Sequence, residues 1–111
     1  MDERARRIGE NEALFRAVNE QIEELQRGMA AVSDDQMHIV CECGDLDCVE
    51  RVVVQVGKYE EVRGDPALFF VVPGHEKPSV EDVVETAEAF DVVRKKEGDP
   101  ERLAEATDPR D

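Results

Sequence analysis

The amino-acid sequence predicts an α+β fold, in which a long N-terminal helix packs on a small antiparallel sheet of four to five strands. Three observations support this class. Apolar side chains recur at helical intervals through the N-terminal quarter of the chain. Short valine-rich runs separated by glycine and proline follow, and three cysteines cluster within residues 41–48, around the turn that joins the first two runs. Because 111 residues suit one domain, we expect residues 1–111 to form a single unit.

A helix is predicted over about residues 2–31, because its apolar side chains form a seam with the spacing of a coiled coil. We expect the C-terminal half of this seam to pack on the domain's own sheet. The N-terminal half is expected to bind a protein partner, with a homodimer through this helix as an alternative. The residues predicted to bind the partner are Ile8, Phe15, Val18 and Ile22, and the seam continues through Leu25, Met29 and Val32.

Strands are predicted over residues 37–43 and 49–56, where β-branched residues are dense. The four residues 44–47 between them indicate a turn, so the two strands should form a hairpin. A short helical turn over residues 58–63 and a third strand over 68–72 follow, and this strand ends at a Pro-Gly pair.

The segment from residue 80 to residue 95 fits two structures. Its spacing allows a helix that begins after Ser79, whereas its valine and threonine content favours two strands, over 80–86 and 90–95. We favour the strand pair. A short helix over 101–106 and a loose end follow, so the predicted parts are a helix over about 2–31, a hairpin and sheet over 37–96, and a C-terminal segment over 98–111.

The composition excludes several classes of function. A formal charge of −14 and a pI near 4.5 argue against binding to the phosphate backbone of nucleic acids and favour basic protein surfaces. No apolar run approaches the roughly 20 residues that cross a bilayer, and the first residues lack the apolar core of an export signal. We therefore expect a cytoplasmic protein without membrane contact, whose three thiols stay reduced and do not form a disulfide framework.

The cysteines follow a C-x-C-x4-C pattern that predicts a zinc site on the hairpin. Cys41 and Cys43 lie two residues apart, so on a strand they face the same side, and the turn brings Cys48 opposite Cys43. Three thiolates leave one tetrahedral position for another ligand. His75 follows a rigid Pro-Gly turn and is the favoured fourth ligand, because His38 on a regular strand faces the other side. This assignment makes the hairpin zinc-bearing.

Other interpretations of the same residues stay open. The cysteines could serve only as small buried apolar residues. They could also form a redox or metal-state sensor that releases zinc or holds a [2Fe–2S] cluster. A hydrolase with an open zinc position would need a base, for which Glu42 and Glu76 are candidates, but Glu42 should face away from the thiols. Because acidic neighbours disfavour activated thiolates and no phosphate loop or serine-nucleophile motif is present, we assign no catalytic residue.

Two local resemblances concern the cysteine spacing. The C-x-C-x4-C spacing is similar to the post-SET zinc motif of histone methyltransferases, although nothing else in the chain resembles those enzymes. Three cysteines with one histidine also resemble the CDGSH type of iron–sulfur protein, but that family places its last cysteine and its histidine within one short segment.

Across the chain, three stretches resemble a family of small uncharacterised actinobacterial proteins. These stretches are residues 11–20, 41–50 and 72–76. The resemblance implies a shared domain and supports His75 as the partner of the cysteines. The sequence therefore predicts a small zinc-binding protein with a structural Cys3His site, acting as a protein-interaction or regulatory module.

Overall fold

The computed structural model describes residues 1–28 and 36–110, and within them the chain follows the predicted α+β order. Residues 29–35, which include the expected seam positions Met29 and Val32, lie outside the described residues. The elements are α1 (Glu3–Gly28), β1 (Gln36–Val40), β2 (Arg51–Gln55), α2 (Val56–Arg63), β3 (Leu68–Val71), β4 (Glu81–Thr86), β5 (Asp91–Lys95) and α3 (Asp99–Ala106).

The described strands form two antiparallel sheets and not the single sheet that the sequence predicts. β1 pairs with β2 as the expected hairpin, and β3, β5 and β4 form a second sheet in that order. The strand pair favoured for residues 80–95 is present, and a bulge between Val83 and Glu85 interrupts its register. The Glu42 backbone N–H donates to the Phe70 carbonyl at 2.8 Å, so the sheets meet just after β1.

The core lies where the two sheets meet, and it is built largely from small β-branched residues, as the composition requires. The inward positions of β1 and β2 contribute Met37, Ile39, Val52 and Val54, and the cluster also holds four aromatic side chains. Phe70 stacks on Tyr59 and meets Phe90 edge-on. Both ring arrangements are favourable beyond the area they bury.

The face of α1 that packs against the domain differs from the predicted apolar seam. The seam residues Val18 and Leu25 are 38% and 72% exposed, whereas the buried positions of the helix are mostly charged or polar. Three of these polar residues, Arg16, Asn19 and Glu23, each follow a seam residue by one position, which is a rotation of about 100° around the helix. The buried residues of this face are Glu12, Arg16, Asn19 and Glu23, together with the apolar Ile8.

Hydrogen bonds and charge pairs explain how this polar face is buried. The Arg16 guanidinium donates to the backbone carbonyls of Pro66 and Ala104 at 2.7 and 2.8 Å, and it lies 4.6 Å from the centre of the Phe69 ring. Partners of this kind replace the water that a buried polar group loses, and they reduce the cost of its burial. Apolar periodicity cannot detect such a face, because it counts only apolar residues.

The burial pattern changes which residues of α1 are accessible to a partner. Ile8 was predicted to project from the domain, but it is 7% exposed and packs near Gly44. Phe15 and Ile22 are partly buried, while Leu14 joins Val18 and Leu25 among the exposed apolar residues. That another protein, or a second copy of the chain, binds α1 stays a prediction.

The C-terminal segment is tied to the domain, whereas the sequence predicted a loose end. Arg63 donates to Asp108 at 2.6 Å, and the Arg110 guanidinium contacts the carboxylates of Glu20 and Glu60. These pairs connect the segment after α3 to both α1 and α2.

No described helix combines the length and apolar character that a bilayer span requires.

Candidate metal centre

Four side chains with metal-binding chemistry converge just beyond the ends of β1 and β3. They are Cys41, Cys43, Cys48 and His75, and their ligand atoms all lie within 4.8 Å of one another. Cys41 and Cys43 are buried, and the other two are partly exposed. All four predicted ligands are therefore brought together, and among the described residues no other group of three or more such side chains meets the same distance criterion.

The spacing of the ligand atoms suits one tetrahedral metal ion. The His75 Nδ1 atom lies 3.7 Å from the Cys41 sulfur and 3.7 Å from the Cys48 sulfur. Zinc binds sulfur near 2.3 Å and nitrogen near 2.0–2.1 Å, which places sulfur and nitrogen about 3.6 Å apart on a tetrahedron. The two observed nitrogen–sulfur distances are close to this tetrahedral value.

His75 reaches the cysteines through the Pro-Gly turn that the sequence indicated. Gly74 adopts a φ of +90°, a backbone conformation that residues with a side chain rarely take. The His75 N–H donates to the Val72 carbonyl at 2.9 Å. The turn thereby directs the imidazole back toward β1. His38 is exposed on β1 and does not belong to the cluster.

The loop that carries the cysteines is longer than the predicted four-residue turn. Regular pairing ends at Val40 and Arg51, so Cys41 and Cys43 lie beyond the strand and not on it. A tighter turn is nested inside, where the Cys48 N–H donates to the Asp45 carbonyl at 3.0 Å. The thiols converge through this looped arrangement, which the strand alternation assumed from sequence did not describe.

Glu42 lies between two cysteines but faces away from them. Its carboxylate accepts hydrogen bonds from the Phe70 backbone N–H at 2.9 Å and from the Asn19 side-chain amide at 2.7 Å. Burial raises the pKa of Glu42 to about 6, against the opposing effect of these donors. The residue joins α1 to β3, and its carboxylate is not directed at the thiols as a general base would be.

Two asparagines of α1 bind the backbone on either side of Cys41 and Cys43. The Asn19 side chain accepts from the Val40 N–H and donates to the Val40 carbonyl, at 2.8 and 2.9 Å. The Asn11 amide donates to the Gly44 carbonyl at 3.0 Å. These contacts were not predicted from the sequence, in which the available signal was two asparagines eight positions apart within a segment of otherwise strong helix-forming residues.

Contacts between the sulfurs alter the acidity of the thiols. The hydrogen bond from Cys41 lowers the pKa of Cys43 to about 4, whereas that contact, with burial, raises the pKa of Cys41. Burial also raises the pKa of Cys48. Thiols that are packed so closely cannot all ionise without a neighbouring cation, and a bound metal ion would supply that charge.

Replacing Gly44 with alanine is expected to destabilise the turn that follows Cys43. Its φ of +83° costs a side-chain-bearing residue about 1–2 kcal/mol. A Cβ atom there would also lie 3.0 Å from the Ile8 carbonyl oxygen. Urea denaturation of Gly44→Ala, compared with the parent protein, measures this loss in the free energy of unfolding.

Two other glycines separate the causes of that loss. Gly74 also has positive φ, but no described heavy atom lies within 4 Å of an added Cβ, so Gly74→Ala should show the backbone cost alone. Gly57 lies in α2 with equally open surroundings, and Gly57→Ala should cause no loss. A Gly44→Ala protein as stable as Gly57→Ala would contradict the described turn.

Comparison of the chain with models of known protein families, with curated proteins and with solved structures found no match.

Proposed function

We propose that the protein binds one zinc ion through Cys41, Cys43, Cys48 and His75, and that this ion has a structural role. The observation that carries the proposal is the convergence of three sulfurs and one imidazole nitrogen within 4.8 Å. This donor set is typical of structural zinc sites, in which four protein ligands close the tetrahedron and leave no position for a reacting water.

The geometry favours a single ion over a two-iron cluster. A [2Fe–2S] cluster divides its protein ligands between two irons, so ligands of different irons lie further apart than one tetrahedral edge. Here the imidazole nitrogen is 3.7 Å from sulfurs on both sides of the loop, Cys41 and Cys48. A single ion could therefore bind all four side chains.

A zinc ion at this position would connect separate parts of the fold. Cys41 and Cys43 follow β1, Cys48 precedes β2, and His75 follows β3. The Val72 N–H already donates to the Cys41 sulfur at 3.2 Å, so the two sheets approach each other here. The ion would cross-link the hairpin to the second sheet, and such a link stabilises a small domain.

Zinc titration of the metal-free, reduced protein tests this function. We expect one zinc per chain, and we expect the His75→Ala protein to bind zinc at least tenfold more weakly because one of four ligands is lost. His38→Ala is the matched control, since His38 is an exposed histidine outside the cluster. It should bind zinc as the parent does.

Three results would overturn the proposal. They are no zinc binding by the parent protein, unchanged affinity in His75→Ala, or equal losses in His75→Ala and His38→Ala. A protein that is purified brown, with iron and sulfide in place of zinc, would instead support the cluster alternative.

A further inference from the structure

The second ring nitrogen of His75 has its own acidic neighbour. While Nδ1 faces the sulfurs, Nε2 lies 3.2 Å from the carboxylate oxygen Oε2 of Glu50. The imidazole therefore lies between the thiol cluster on one side and a carboxylate on the other. Histidines that bind metals commonly donate their other N–H to such a carboxylate, which fixes the ring orientation and the tautomer.

The hairpin holds the backbone of Glu50 beside the cluster, while its side chain is 57% exposed. Its carbonyl accepts the Cys41 N–H at 3.1 Å, which extends the hairpin by one pair beyond the regular strands. Glu50 also lies two residues after Cys48. The same residue is thus fixed opposite one sulfur ligand, is close in sequence to a second, and reaches the imidazole with its side chain.

We propose that Glu50 is a positioning residue for His75, which holds Nδ1 toward the metal by accepting the Nε2 proton in a hydrogen bond. The inference rests on the proposed zinc site and adds the group that orients its single nitrogen ligand. Glu50 itself does not contact the ion. Without this acceptor the ring can turn about its side-chain bonds, so part of the binding free energy is lost in ordering it again.

Zinc affinity of Glu50→Ala, measured by competition with a chelator of known affinity, tests the proposal. We expect the affinity to fall about 10–100-fold, the range found when such outer ligand partners are removed. Asp47→Ala is the matched control, because it removes one exposed carboxylate from the same loop without touching His75. It should change the affinity much less than Glu50→Ala does.

Two further variants separate orientation from charge. Glu50→Gln keeps a neutral oxygen that can accept the Nε2 proton, so it should retain more affinity than Glu50→Ala. In a His75→Cys background there is no ring to orient, and Glu50→Ala should then match Asp47→Ala.

The proposal is overturned if Glu50→Ala and Asp47→Ala weaken binding equally, or if Glu50→Gln loses as much affinity as Glu50→Ala. It is also overturned if the full Glu50→Ala loss persists in a zinc-binding double variant that carries His75→Cys. Absence of zinc binding by the parent protein would instead refute the proposed zinc site, so the two failures are distinguishable.

Discussion

Replacing Lys95 with methionine is expected to lower the free energy of unfolding by about 3–5 kcal/mol. The Lys95 ammonium is buried between two buried carboxylates, Glu12 on α1 and Glu81 on β4, at 2.5 and 3.2 Å. Methionine fills similar volume but supplies no charge and no donors. The two carboxyl groups would then share a site away from water with no cation beside them.

The pKa of Glu12 reflects opposing effects of burial and of the neighbouring charges. Burial and the nearby charge of Glu81 raise the pKa of Glu12 well above its usual range, and Lys95 opposes them. The second oxygen of Glu12, Oε2, is buried and finds no hydrogen-bond partner among the residues that the structure describes. Removing the lysine therefore removes the main compensation for an already costly arrangement.

Lys96→Met provides the control, because it makes the same substitution one position later. Lys96 pairs with Asp82 at 2.9 Å, but the two side chains are 42% and 66% exposed. Exposed ion pairs contribute between zero and about 1 kcal/mol. Equilibrium denaturation by urea, followed by circular dichroism, should show a large loss for Lys95→Met and a small one for Lys96→Met. Losses of similar size would contradict the buried charge cluster.

Removing zinc is expected to produce the other large effect. An ion that binds the folded state stabilises it by about 4 kcal/mol when free zinc is a thousandfold above the dissociation constant. The thermal unfolding midpoint should therefore rise with added zinc and return when a chelator is added. Because unfolded cysteines also bind zinc weakly, the observed shift should be somewhat smaller than this value.

Cys43→Ser shows whether the shift depends on the cluster. Cys43 is a buried predicted ligand, and serine keeps its approximate size while removing the sulfur. The midpoint of this variant should respond much less to zinc than that of the parent. An equal response in both proteins, or no response in the parent, would argue against a structural ion at this site.

The sequence predicted the parts of this fold that depend on local pattern. Valine-rich runs bounded by glycine and proline located the described strands, including the pair at residues 80–95. The convergence of these four side chains was also predictable, since cysteine spacing and a histidine after a Pro-Gly turn are local signals. The structure brings Cys41, Cys43, Cys48 and His75 together, as expected.

The sequence could not predict the orientation of α1. The apolar seam through Val18 and Leu25 indicated one buried face, but the domain buries the neighbouring face, where Arg16 and Asn19 find carbonyl partners. Those partners lie far away in the chain and become apparent only in the fold. The division into two sheets was also missed because it depends on contacts between residues far apart in the chain. One example is Glu42, whose carboxylate joins β3 to α1.

Zinc X-ray absorption of the protein purified with its native metal tests the central claim most directly. We expect three sulfur neighbours near 2.3 Å and one nitrogen neighbour near 2.0–2.1 Å around a single zinc ion. A coordination shell of oxygen and nitrogen without three sulfurs, a second metal atom close to the first, or a protein that carries no zinc would contradict the proposed site.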